Sequence, residues 1–261
     1  MKKFLFITTL TPKSLLSPLR ASLFDLYKDS LNSQSYSNWE ALLIGEEEKK
    51  QGRIIFKKTD AVSKGDKLKV AYEYLLSLEV KPDYIIRLDD DDLISQYALE
   101  YAAKHEFDCC SDLYHTFYDI ASGLISQQHR DWLPNTIIHK YEHAVAAYGD
   151  SGQPLFSQDH SQAWHRYYAD KKIHFVPKKH PVYLRILSPT TITSKIDPLQ
   201  SGKFESIDMN AYSAYLVGFG KWRNFNLRDF EGCYDQLVQA WEEFSGKTIT
   251  PRKRSFLDLF R

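Results

Sequence analysis

The chain has 261 residues, 43% hydrophobic and 14% aromatic, and its 34 basic side chains balance 34 acidic ones. That is enough apolar material for one sizeable core, or one domain with a small appendage, while a pI near 7.1 leaves no electrostatic footprint for nucleic acid. The three cysteines, Cys109, Cys110 and Cys233, are odd in number and show neither disulfide nor zinc spacing, which favours a reducing, cytoplasmic setting.

"KFLFITT", residues 3–9, reads as a buried first strand that ends at Thr11-Pro12. Its apolar part is too short for a signal peptide and lacks a small-residue cleavage site. Nothing in the chain approaches the roughly 18 apolar residues of a membrane span. "PLRASLFDLYKDSL", residues 18–31, has its leucines near helical spacing with Pro in the first turn. "NSQSYSN" is a polar loop, "WEALLIG" a second strand ending at Gly45, and "RIIFKK" a third. Residues 66–79 form an amphipathic helix with Asp66 as its expected N-cap. "DYIIRL" is the fourth strand, and Asp89, Asp90, Asp91 and Asp92 follow it at once.

Further on, residues 95–106 read as a helix and "FDCCSDLYHTFYDIASG" as a strand pair. "PNTIIHKYEHAVAAYG" leads into a helix, "SQDHSQAWHRYYAD" is another, and "KIHFVPKKHPVYLRIL" is extended. The pattern weakens after Ile196, although residues 227–246 again read as a helix. Alternating strands and helices point to an α/β fold with an open, mostly parallel sheet flanked by helices. A soft boundary near residue 195 divides the chain into a main domain, 1–195, and a small, mainly helical C-terminal portion, 196–261. In such sheets ligands bind at the carboxyl ends of the strands, where the Asp run lies.

Four adjacent carboxylates repel one another, so a stable fold needs a positive charge there. By the same logic, neutralising one of them, as in Asp91→Asn, should stabilise the fold. No Lys or Arg is interleaved with the run, and a hard divalent cation, Mn²⁺ or Mg²⁺, would supply the charge. The bland alternative is a solvated acidic turn. A calcium loop is excluded because Ile94 stands where that loop needs Gly. A dehalogenase-type phosphatase would place its Asp after the first strand, where Thr8 and Thr9 stand.

"LFDLYKDSLNSQSYSNWEALLIG" followed by "YIIRLDDDDLIS" resembles GT-A glycosyltransferases of the inverting, family-2 kind, over roughly residues 3–195. The family shows a first helix ending in "SL-x-SQ-x-Y-x-N-x-E" and a later "LD-x-DD". The resemblance implies a GT-A (Rossmann-like) sheet and transfer of a sugar from a UDP-, dTDP- or GDP-sugar to a saccharide or glycolipid acceptor, as in bacterial surface polysaccharide or glycolipid synthesis. It implies Asp89 and Asp91 at the metal, with Asp92 as the additional acid. Thr9, Glu46, Lys67, Asp89 and Asp90 would then contact the donor. Glu46 stands where the family usually has an Asp near the base. Leu187 replaces a late His, a role for which His180 is the substitute.

An inverting transfer needs a general base. In the family this is often the Asp of an "ED" pair that begins a helix, and here Asp159 follows Gln158 at a comparable distance from the Asp run. Asp159 also suits a helix cap, and Asp131 and Asp150 are the next candidates. His139 and His143, at i and i+4 on one helical face, suit a metal pair poorly because Glu142 is not adjacent to His139; His139 and Lys140 are a candidate pocket wall toward diphosphate or acceptor, with plain surface the competing reading. Trp132, Trp164, Tyr167 and Tyr168 are either sugar-stacking or core aromatics. Residues 251–261 form a basic-apolar tail that suits either docking on the domain or peripheral contact with an anionic membrane face. Two other readings compete with the sugar transferase. One is a nucleotidyltransferase of related fold, disfavoured because "TTLTPKS" has no Gly. The other is a non-catalytic relative that only binds nucleotide-sugars.

Overall fold

The computed structural model describes residues 1–150, 152–191, 196 and 203–249. Its first half runs β1 (Phe4–Thr9), α1 (Pro18–Asn32), β2 (Trp39–Gly45), β3 (Lys49–Gln51), β4 (Ile54–Lys58), α2 (Lys64–Ser77) and β5 (Tyr84–Arg87). Then come β6 (Leu93–Ile94), α3 (Ala98–Ala103), β7 (Cys109–Asp112), β8 (Tyr114–Asp119), β9 (Leu124–His129), β10 (Ile138–Lys140) and α4 (Tyr141–Ala144). The chain continues through α5 (His165–Tyr167), β11 (Ile173–Val176), β12 (Tyr183–Leu187), α6 (Met209–Val217) and α7 (Tyr234–Ser245).

Eight strands form the main sheet in the order β11-β7-β10-β5-β1-β2-β4-β3, and β6-β12-β8-β9 form a smaller one. The α/β architecture expected from the sequence is what the chain adopts. The central run β5-β1-β2-β4 is parallel, whereas β10 enters antiparallel between β5 and β7, and β3 folds back along β4. From β1 the chain crosses by α1 to β2 on one side. It returns through α2 to β5 on the other, so the topological switch point lies between β1 and β5.

Alternation along β1 explains why both sheet faces are covered. Phe4 and Phe6 join Tyr27, Leu31 and Trp39 on one face, while Leu5 and Ile7 meet Leu68, Ala71 and Leu75 of α2 on the other. A separate cluster unites Leu19, Leu23 and Leu26 of α1 with Leu237 and Trp241 of α7. The expected boundary near 195 and the tail 251–261 fall outside the described residues. No helix among the described residues is long and apolar enough to cross a membrane.

Three local expectations are corrected. Ser63, not Asp66, caps α2: its hydroxyl accepts the Asp66 amide, so the helix begins two residues earlier. Residues 138–140 are a strand rather than the start of a helix, because the apolar run through Ile137 and Ile138 fits between two buried strands. The helix expected near 160–169 is a π turn, His160–Trp164, followed by the single turn of α5.

Candidate active site

Beyond the β1–β5 ladder the Thr8 hydroxyl donates to the Leu88 carbonyl at 2.8 Å and lies 2.6 Å from the buried Tyr27 hydroxyl. These contacts fix where β5 stops and the Asp run turns, with the Asp92 amide donating to the Asp89 carbonyl at 3.2 Å. A cavity of about 320 Å³ opens here, lined by Thr9, Thr11, all four Asp residues and the cations Arg20, Lys64, Lys67 and Arg185. It is the switch-point crevice.

The positive charge that the Asp run needs comes from elsewhere in the chain. Arg20, in the first turn of α1 and only 6% exposed, donates one nitrogen to Asp91 Oδ2 and another to Asp90 Oδ1, each at 3.0 Å. The second nitrogen also reaches the Thr11 hydroxyl at 2.7 Å. Asp90 is held further by the Thr11 amide, Asp89 by the Lys64 ammonium at 2.6 Å, and Asp92 by the Ile186 amide and Asn135. Sequence reasoning missed these partners because a gap of some seventy residues separates Arg20 from the acids. The one signal was a basic residue inside the apolar stripe Leu19–Leu23.

The four acids are not equivalent. Burial and the neighbouring Asp91 push Asp90 upward against Arg20, and the same two causes push Asp92 well above the carboxylate range. Burial would raise Asp89 too, but Lys64 and Arg87 overcome it and hold that carboxyl low. Asp92 is thus a buried anchor between the Asp run and β12.

Asp89 and Asp91 could hold a divalent cation, since both line the cavity and each has one oxygen outside its ion pair, that of Asp89 lying 3.5 Å from the Asn135 amide nitrogen. Among the described residues no group of three or more His, Cys, Asp or Glu is arranged around a metal position. Mg²⁺ and Mn²⁺ commonly take one or two protein carboxylates and complete their shell with phosphate and water, so this pair could hold such an ion.

The other residues singled out from the sequence divide. Lys67, 3% exposed, donates to the Leu10 carbonyl and borders both this cavity and a neighbouring one of about 290 Å³. Glu46 lines that second space with Phe24 and Phe56, and its carboxylate accepts the Lys13 amide at 3.0 Å. Asp159 lies outside the main cavity. It caps the π turn, accepting the Ser161 hydroxyl and the Gln162 amide, and these bonds, outweighing its partial burial, hold its carboxyl below the usual range. Asp131 is almost fully exposed beside His129, and Asp150 is also exposed.

Three candidates are corrected. His139 is buried in the main sheet with Nδ1 2.8 Å from the Tyr168 hydroxyl, so it forms no pocket wall. Lys140 is half-buried at the end of β10 and paired with Glu142. His180 faces a different cavity, with Nδ1 3.2 Å from Asp229, because the chain turns away before β12 begins. Of the aromatics, Trp164 and Tyr168 are core, whereas Trp132 is exposed. The family-like residues Gln34, Tyr36 and Asn38 serve the fold: their side chains bond the backbone of Ser95, Lys2, and Met1 and Lys2, respectively.

No protein-family model and no curated protein sequence matches the chain. Among solved structures, it is similar to TarS of S. aureus (13% identity, TM-score 0.46, covering 98% of this chain and 77% of that one). It is also similar to the glycosyltransferase GlyE of Streptococcus pneumoniae, at 8% identity and TM-score 0.41 over 98% of this chain and 67% of that one. A third is 4-diphosphocytidyl-2C-methyl-D-erythritol synthase of Anaerococcus prevotii, at 12% identity and TM-score 0.42 over 67% and 86%.

Proposed function

We propose that the chain is a glycosyltransferase that moves a sugar from a nucleotide-sugar to an acceptor hydroxyl with inversion. The observation that carries the reading is the switch-point cavity, where the Asp run and four cations converge beside a second space with an aromatic lining. A nucleoside diphosphate leaving group gathers negative charge as it departs, and preorganised cations at that point stabilise it. Lys64, Lys67 and Arg185 line the diphosphate space, and Arg20 holds Asp90 and Asp91 in register. Glu46, Phe24 and Phe56 would border the nucleoside. Asp89 and Asp91 would hold Mn²⁺ or Mg²⁺, which when bound adds Lewis-acid stabilisation of the leaving diphosphate.

In the transfer the acceptor oxygen bonds to the anomeric carbon as the carbon–diphosphate oxygen bond breaks. The electron pair leaves with the diphosphate, and the hydroxyl proton passes to the Asp159 carboxylate. The acceptor is a saccharide or glycolipid. Membrane contact through residues 251–261 remains a separate proposal, since that segment lies outside the described residues.

The test is a panel of UDP-, dTDP- and GDP-sugars with Mn²⁺, read first as a rise in melting temperature and then as transfer followed by anomeric NMR. One nucleotide-sugar class should stabilise the protein and give product of inverted configuration. Turnover of a nucleoside triphosphate with a sugar 1-phosphate would replace this reading by nucleotidyl transfer. Binding without turnover across acceptors would make the protein a nucleotide-sugar-binding relative.

A further inference from the structure

Arg87 is the last residue of β5, two positions before Asp89, and its whole residue is only 7% exposed. A lone guanidinium in a core is costly, so its partners show what its retention achieves. One of its nitrogens donates to the Phe156 carbonyl at 2.9 Å and to the Gln158 carbonyl at 3.0 Å. Its guanidinium carbon lies 4.3 Å from the centroid of the buried Trp164 ring, whose indole N–H donates to the Leu155 carbonyl. Arg87 also feels both the Asp89 and the Asp159 carboxylates, while its Nε is buried without a partner. The two carbonyl bonds and the Trp164 contact tie Arg87 to the short segment 155–158 that delivers Asp159. No main-chain ladder joins that segment to β5 among the described strand pairs.

We propose that Arg87 is a positioning residue that registers Asp159 against the Asp89 end of β5, so that the proton acceptor and the leaving-group site keep one fixed separation. The inference rests on the reading of Asp159 as base. It assigns to a buried residue outside the cavity the task of holding two reacting ends in geometry, where a misplacement of about 1 Å costs on the order of 100-fold. Lys at this position keeps the charge but lacks the planar guanidinium that lies against the Trp164 ring while one of its nitrogens bonds the two carbonyls, and Gln removes the charge.

The experiment is a double-mutant cycle of Arg87→Lys and Asp159→Asn, with Arg87→Gln alongside, on the nucleotide-sugar that the panel identifies. Affinity for UDP, dTDP and GDP with Mn²⁺ is measured by calorimetry for each variant. Arg87→Lys should lower kcat about 100-fold while leaving KM for the donor and nucleotide affinity within about twofold. The double variant should be no slower than Asp159→Asn alone, because a base that is absent needs no registration. Multiplying losses, or a kcat within threefold of wild type for both Arg87 variants, overturns the proposal. Loss of nucleotide binding or of cooperative melting in both overturns it too, since Arg87 is then a folding residue. Wild-type activity in Asp159→Asn alone sinks the base reading instead, and identifies that failure separately.

Discussion

The ammonium of Lys64 lies 2.6 Å from Oδ1 of Asp89, so a cation approaching that oxygen must first displace a charge the protein already supplies. The pair is half-exposed on the lysine side, where such contacts are worth roughly 0.2–1 kcal/mol. Lys64→Gln should therefore strengthen Mn²⁺ binding to the nucleotide-free protein by a factor of about 1.5–5, read by calorimetry at low salt. Unchanged Mn²⁺ affinity would mean that the ion does not use this oxygen.

Asp91→Asn gives a prediction opposite in sign to the one repulsion alone suggests. Relief of crowding among four acids favours the variant, but the buried Arg20 loses one of its two carboxylate partners. Leaving part of a buried charge uncompensated costs about 1–3 kcal/mol. The variant should melt lower than wild type and lose Mn²⁺-dependent nucleotide binding. A higher melting temperature would show that repulsion within the run outweighs the Arg20 pair.

Asp159→Asn keeps a good N-cap for the π turn, since Asn also accepts the Gln162 amide. Its thermal stability should stay near wild type while transfer falls by roughly 10²–10⁴-fold. Asp159→Ala should lose both. Transfer within a few-fold of wild type in the Asn variant would leave Asp159 as a cap only.

Asp112 offers a pH test away from the site. Burial pushes its carboxyl up to about 8, against the Val182 amide bonded to Oδ1, and its Oδ2 is buried without a partner. A folded-state value raised above the unfolded one means that the native state prefers the proton. The associated stability is full below about 4 and is lost as pH rises through about 8. Thermal melts of wild type should show that decline, and Asp112→Asn should flatten it. Equal pH profiles for the two proteins would remove Asp112 as the cause.

Much of this was legible in the sequence where local pattern decides structure. The run Phe4–Thr9, the helix opened by Pro18 and the strand ending at Arg87 all follow from periodicity and punctuation, and the Asp run marked the crevice because strands of this fold class end there. What failed was set by tertiary context. Ile138–Lys140 has a helix-compatible pattern, but a gap between two strands claimed it. The counter-charges failed differently: Arg20, Lys64 and Arg185 meet the acids only after α1, α2 and β12 have packed, and no spacing along the chain encodes that meeting.

Arg20 sits on α1 between Leu19 and Leu23, and those leucines share their core with Leu237 and Trp241 of α7, the last helix among the described residues. The guanidinium that steadies the acids is thus shouldered from behind by residues more than two hundred positions downstream. A chain lacking α7 would keep every acid and base of the cavity while losing part of the packing behind the helix that aligns Arg20.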